Sequence, residues 1–269
     1  MGNKTSLNTE FKKLLKDFLK IRGGIVAVAF KDLVTGEVFL HNGGRVFPAA
    51  SLIKIPILME FFRQVHEESL NPGERVELSP GQKVGGCGVL TLMAPGLRPT
   101  LMDIAVLMIT VSDNTATNVL IDRLGMKKIN RFLKSQGLEK TCLHRRLMIK
   151  PNTKIQKNFM TAGEIMTLLS RLYYREILPD GPTEKIIGIM SGQQHIEKLP
   201  RRLPRDLKIA HKPGEIGGVC HDAGIVFCPE HPYILCVFTE GLKTAPDGDE
   251  IIGGISHALY RHVVEEYTR

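Results

Sequence analysis

Strand-like apolar runs stand at both ends of this 269-residue chain, and a long helical stretch separates them. Ile25–Phe30 is rich in β-branched and apolar residues, Thr35-Gly36 follows as a turn signal, and Glu37–His41 returns as a second strand. Toward the other end, 207–212, 222–228 and 233–239 read as three more strands joined by short turns. Consecutive antiparallel strands need no crossover helix. The five therefore combine most simply into one antiparallel sheet built from both ends of the chain.

Between Ser51 and about Tyr174 the apolar period becomes that of helices, clearest over 51–67, 100–110, 115–124 and 161–174, with a Gly/Pro-rich interruption at 72–98. Phe11, Leu14, Leu15 and Phe18 predict a helix over 9–20, closed by Gly23-Gly24. Two short helical segments follow Pro182, and a last amphipathic helix is expected over 249–267. The expected fold is mixed α/β (α+β): a five-stranded antiparallel sheet flanked by N- and C-terminal helices, with an all-helical subdomain beside it. One domain over 1–269 is expected, divided into an α/β subdomain of about 1–50 and 185–269 and a helical subdomain of about 51–184.

Several function classes are excluded early. No apolar run approaches the roughly 20 residues needed to cross a bilayer, so no membrane span is expected. The opening MGNKTSLNTEFKKLLKDFLK is an amphipathic pattern without the apolar core of a secretory signal. The net charge is +8, from 36 basic and 28 acidic residues. No Lys/Arg run is interleaved with aromatics, so a solvated mixed-charge surface is expected and no nucleic-acid partner. A basic cleft would also suit a carboxylate-bearing substrate. The five cysteines (Cys87, Cys142, Cys220, Cys228, Cys236) show no C-x-x-C spacing, and no H-x-x-x-H or H-E-x-x-H pair occurs. Neither a metal nor a cofactor is expected. With Pro229 to Pro232 as the turn, Cys228 and Cys236 would not face each other, so no disulfide is expected either.

Three short motifs carry the chemistry. Phe47-Pro48-Ala49-Ala50 leads into Ser51-Leu52-Ile53-Lys54 at the start of an apolar helix. Backbone N–H groups are free there and the dipole is positive, which suits an oxyanion next to a serine nucleophile. Lys54 lies one turn along the same face, and a desolvated, neutral amine can take a serine proton. The plain alternative is a serine cap followed by a surface lysine. Ser112-Asp113-Asn114 sits between two apolar helices, where it is also ordinary capping chemistry. As a functional run it offers Ser112 as a proton relay and Asn114 as a ligand for a substrate amide. Lys212-Pro213-Gly214 ends the run Leu207–His211, either as a turn or as a cation beside a closely approaching backbone. His211 reads as a structural neighbour and not as a general base.

Singly each motif is weak, but their order and spacing resemble the penicillin-recognising serine hydrolases, most closely the class A β-lactamases, whose signature is S-x-x-K, S-D-N and K-T-G. The resemblance extends over nearly the whole chain. It implies Ser51 as the acylated nucleophile, Lys54 as its activator and Ser112 as the shuttle to the leaving nitrogen. It implies Asn114 on the substrate side-chain amide, Lys212 on the substrate carboxylate, and the N–H groups of Ser51 and Glu215, with Gly214 between the third-motif residues, around the oxyanion. The implied substrate is a β-lactam or a peptidoglycan-like small molecule, handled by a monomer. The implied setting is bacterial and exported, periplasmic or extracellular, and the implied consequence is antibiotic resistance.

Two departures stand out. Class A enzymes carry a loop glutamate between the second and third motifs that activates the deacylating water, yet 140–163 contains no Asp or Glu and is basic at Arg145, Arg146, Lys150, Lys154 and Lys157. The nearest acids are Glu139 and Glu164, the latter expected as a helix-dipole partner. Pro213 also replaces the third motif's hydroxyl residue, and Glu215 adds a negative charge where an anion should dock. Acylation of Ser51 with slow or atypical deacylation is therefore expected. A penicillin-binding acyl enzyme with peptidase, esterase or sensor activity is the second reading.

Overall fold

A computed structural model describes residues 24–149 and 157–267 and, apart from these, Lys13, Lys16 and Asp17. Those three are helical; the rest of the helix expected over 9–20 lies outside the described residues.

The strands are β1 (Ile25–Asp32), β2 (Val38–His41), β3 (Phe47–Pro48), β4 (Phe159–Met160), β5 (Ile209–Ile216), β6 (Val219–Val226) and β7 (Tyr233–Glu240). Five of them form one sheet in the order β2-β1-β7-β6-β5, with every neighbour antiparallel. The two chain ends meet along β1 and β7, which pair from Ile25↔Glu240 to Asp32↔Tyr233. Alternate residues serve two cores. Val26, Val28 and Phe30 face the C-terminal helix, whereas Ala27 and Ala29 face the helical block. Burial on both faces explains why these strands read as unbroken apolar runs.

The helices are α1 (Lys54–His66), α2 (Leu101–Thr110), α3 (Asn114–Leu124), α4 (Met126–Ser135), α5 (Ala162–Tyr173), α6 (Asp180–Ser191) and α7 (Ala245–Tyr267). Helix α1 is apolar nearly all round, from Ile55 through Phe62, because it runs through the middle of the helical block.

Several boundaries differ from those expected. Strand β5 does not stop at 212 but continues through Pro213 and Gly214 to Ile216. It is an edge strand, so Pro213 needs no donor on its open side. Strand β6 starts earlier, at Val219, because Gly217 and Gly218 alone form the hairpin turn, with φ of 22° and 77°. Helix α4 went unread in the sequence: Gly125 (φ 88°) separates it from α3, and only Ile129, Phe132 and Leu133 are buried on its otherwise basic surface. Pro182 lies inside α6, within the first turn where a missing N–H costs nothing. All five cysteines are free thiols.

Candidate active site

The turn that carries Ser51 is anchored before it begins. Phe47-Pro48 pairs with Phe159-Met160, and Ala49 N donates to Asn158 O at 2.8 Å. The fully buried His221 ring is pushed down to about 4 by desolvation and so is neutral at pH 7. Its Nε2 lies 2.9 Å from Pro48 O, and its Nδ1 lies 2.8 Å from Cys220 O and 3.1 Å from Thr239 N. Ala50 then adopts a left-handed φ of 45°, a conformation that a non-glycine residue holds only when its surroundings enforce it. A 3₁₀ turn over Ala50–Ile53 carries Ser51 and hands the chain to α1, where Lys54 is completely buried.

Ser112 sits between α2 and α3, also left-handed at φ 55°. Asp113 is the cap that the plain reading foresaw: Oδ1 accepts from Ala116 N at 2.9 Å, and Oδ2 accepts from Val89 N (2.7 Å) and Leu90 N (2.8 Å). That capping holds the 84–90 loop against the motif and leaves Ser112 and Asn114 turned to the cleft. Lys54 Nζ donates to Ser112 O at 2.6 Å, to Ser112 Oγ at 3.0 Å and to Asn114 Oδ1 at 3.0 Å. Lys212 Nζ donates to the same Ser112 Oγ at 3.0 Å and to Pro213 O at 2.9 Å. Ser112 Oγ in turn donates to Ser51 Oγ at 3.1 Å.

Lys54 and Ser51 both meet Ser112 Oγ, which makes a relay between them available. Lys54 reaches Ser51 through Ser112, and Lys212 converges on the same oxygen. Desolvation pulls the Lys54 ammonium well below its ordinary value, and the Lys212 charge pushes it further down. Desolvation likewise lowers Lys212, to about 7, against the opposing pull of Asp222. Two buried cations sharing one hydroxyl do not both keep their protons near neutrality. The arrangement can hold one proton and accept another.

Gly214 brings β5 against Ser51. A Cβ there would stand 2.8 Å from Leu52 Cδ1 and 2.9 Å from Ser51 N, so only glycine permits the approach. Glu215 is exposed beyond it, its carboxylate 3.3 Å from Lys198 Nζ, which also lies 2.9 Å from Asp249. Cys220 joins those two carboxylates in a cluster of metal-ligand type, but the cation they hold is the Lys198 ammonium. His211 packs behind the strand with Nδ1 3.0 Å from Asp222 Oδ2, and Asp222 also accepts from Leu199 N. As expected, His211 is a neighbour and not part of the cleft.

The acid-free segment forms the opposite wall. Asn118, one turn beyond Asn114 on α3, clamps Leu147 through N–H donation to its Oδ1 (2.8 Å) and Nδ2 donation to Leu147 O (3.0 Å). Asn158 does the same for His144 and Arg145. Sequence reasoning missed both asparagines: Asn118 had a helical-spacing signal, while Asn158 had none. Glu164 is turned to Lys140 N and Thr141 Oγ1, at 2.9 and 2.6 Å, at the start of α5. A cavity of about 560 Å³ lies over Ser51 and Asn114 under Leu147, Met148 and Ile149. A second, of about 330 Å³, lies over Ser51, Ser112 and Lys212 toward Lys198 and Glu215.

Comparison with known proteins decides the family. The family model described as "Beta-lactamase enzyme family" matches residues 7–263. The chain belongs to that family. Beta-lactamase CARB-3 of Pseudomonas aeruginosa is 24% identical over 266 residues, which cover 94% of this chain and 91% of the relative. A β-lactamase structure from Sphaerobacter thermophilus superposes with a TM-score of 0.90 at 29% identity, covering 94% of this chain and 96% of the other. PBP-A superposes at 0.87 with 32% identity, covering 96% and 97%. A leucine-to-glutamate variant of PBP-A, solved as its acyl-enzyme complex with penicillin G, superposes at 0.88 with 31% identity, again covering 96% and 97%. Family membership makes this a serine β-lactamase-like hydrolase, and no described helix is long and apolar enough to cross a membrane.

Proposed function

We propose that Ser51 attacks the carbonyl of a β-lactam amide as a class A-type serine enzyme does, and that the acyl fragment is released slowly. The observation that carries this reading is the convergence of Lys54, Lys212 and Ser51 on one oxygen, Ser112 Oγ, at 3.0, 3.0 and 3.1 Å. With the two hydroxyls rotated so that Ser51 donates to Ser112 Oγ and Ser112 donates to a neutral Lys54, Ser51 gives its proton to Ser112 as Ser112 passes its own to Lys54, and Ser51 Oγ bonds to the carbonyl carbon. The N–H groups of Ser51 and Glu215 hold the oxyanion. The C–N bond then breaks, and the same chain of atoms runs backward to protonate the leaving nitrogen. Asn114 Nδ2, now on Gly85 O at 3.1 Å, is the donor offered to the substrate's side-chain amide. Lys212 attracts the substrate carboxylate.

Slow release follows from Leu147. This residue faces the cavity above Ser51 and brings no base for water. The same apolar wall, together with the likeness to PBP-A, favours the second reading, a penicillin-binding acyl enzyme with peptidase, esterase or sensor activity. Either substrate class places the protein where cell-wall peptides and antibiotics occur, outside the cytoplasm. Labelling with a fluorescent penicillin tests acylation, and hydrolysis of a chromogenic cephalosporin tests release. The expected result is a label lost in Ser51→Ala, with turnover slower than acylation by the roughly 10²–10⁴ that general-base assistance contributes. Rapid turnover without a stable label contradicts slow release, and no label at all contradicts the nucleophile.

A further inference from the structure

The larger cavity has an unusual charge balance for a pocket with apolar walls. Four charged residues line it: Arg145, Arg146, Lys157 and Glu215. Two of them have partners: Arg146 lies 2.6 Å from Asp122, and Glu215 lies 3.3 Å from Lys198, which it shares with Asp249. Arg145 and Lys157 pair with no carboxylate among the described residues, and 140–163 contains no acidic side chain to supply one. Among the described residues the guanidinium of Arg145 donates to Ile149 O, at 3.4 Å.

Arg145 is also fixed relative to the nucleophile. Its N–H donates to Asn158 Oδ1 at 2.9 Å, and its carbonyl accepts from Asn158 Nδ2 at 3.0 Å. The carbonyl of the same asparagine holds Ala49 N at 2.8 Å, two residues before Ser51. The backbone of Arg145 is therefore held in place on the cavity wall, and its guanidinium has no carboxylate partner among the described residues. Such a group is a ready partner for a planar anion, since its fork of N–H donors matches a carboxylate.

We infer that this cavity is an anion-selecting subsite, and that the acyl branch of the substrate ends in a carboxylate seated between Arg145 and Lys157 after an apolar segment that covers Leu147 and Ile149. The inference deepens the acyl-enzyme reading and rests on it for the identity of the acyl side. The substrate class is an amide whose acyl part carries a free carboxylate, as a peptide with an acidic side chain or a dicarboxylic acyl group does. This carboxylate is distinct from the one that Lys212 attracts on the leaving side.

The test uses two penicillins that differ only in a terminal carboxylate or carboxamide on the acyl branch. Calorimetric binding to Ser51→Ala reads the subsite without chemistry, and labelling of the native protein reads acylation. The carboxylate form is expected to bind about tenfold more tightly at low salt, with the advantage shrinking as ionic strength screens the exposed lysine. In Arg145→Gln/Lys157→Gln the ratio is expected to fall to near one, and Arg145→Lys is expected to restore part of it. A ratio near one in the binding assay, or a tenfold ratio that survives the double substitution, overturns the subsite. A clear preference in Ser51→Ala with no acylation of the native protein leaves the subsite standing and overturns the acyl-enzyme reading instead.

Discussion

The chemistry proposed here depends on how two lysines share a hydroxyl. Because burial lowers both and the Lys212 charge lowers Lys54 further, the pair carries fewer protons at neutrality than two separate surface lysines would. Only a neutral amine accepts the serine proton, so acylation should fall toward acid as Lys54, held well below its ordinary value by burial and by the Lys212 charge, gains its proton. Second-order acylation rates across pH 5 to 9 check the sign; a rate that climbs toward acid would contradict it. Lys54→Ala should cut acylation by about 10²–10⁴. That variant also removes three buried hydrogen bonds, and circular dichroism is the control expected to show the fold retained. Undiminished labelling in the variant would assign the base role elsewhere. Both lysines and both serines stand in the sequence motifs, but the route between them does not, because S-x-x-K spacing places Lys54 on a helix face without saying which oxygen it meets.

Among the secondary-structure elements, β5 and the loop over Leu147 decide what the site can do. Gly214 lets the strand lie against Ser51 N, and Gly214→Ala would put a Cβ within 2.9 Å of that nitrogen. A displaced nucleophile turn should lower acylation by about 10²-fold, while overpacking costs roughly 1–3 kcal/mol of stability. Stopped-flow labelling and thermal melts separate the two effects. In the loop, Leu147→Glu would set a carboxylate on a backbone position that Asn118 already holds at both ends, beside Ser51. Faster decay of the acyl-enzyme is the expected outcome, and an unchanged lifetime would mean that the side chain does not reach the water.

Elements of this kind were only partly legible in the sequence. The five strands and the long helices follow from apolar periodicity, since burial on two faces or one writes itself into the residue pattern. Continuation of β5 through Pro213-Gly214 did not, because its tolerance for proline comes from lying at a sheet edge, which is a tertiary fact. Nor did α4, whose charged surface hides a narrow buried stripe. The clamps by Asn118 and Asn158 depend on loop geometry that no local pattern encodes.

Across the molecule, one buried cluster runs from Ala27, Ile234 and Phe238 of the sheet to Ile57 and Phe61 of α1. We propose that the sheet-based part (about 1–50 and 185–269) and the helical part (about 51–184) share this core and unfold together. Calorimetry should give a single transition whose calorimetric and van't Hoff enthalpies agree, and light scattering should give the mass of a monomer. Two resolved transitions would separate the parts. Catalysis needs this continuity, because Ser51 and Ser112 come from the helical part and Lys212 from the sheet. The most direct test of the central claim is an intact-mass time course of the native protein and of Ser51→Ala after mixing with a penicillin. The account predicts a one-to-one adduct that forms quickly, persists for many times its formation half-life, and never appears in Ser51→Ala. An adduct that survives the loss of Ser51, or hydrolysis of the penicillin with no adduct on any time scale, would contradict it.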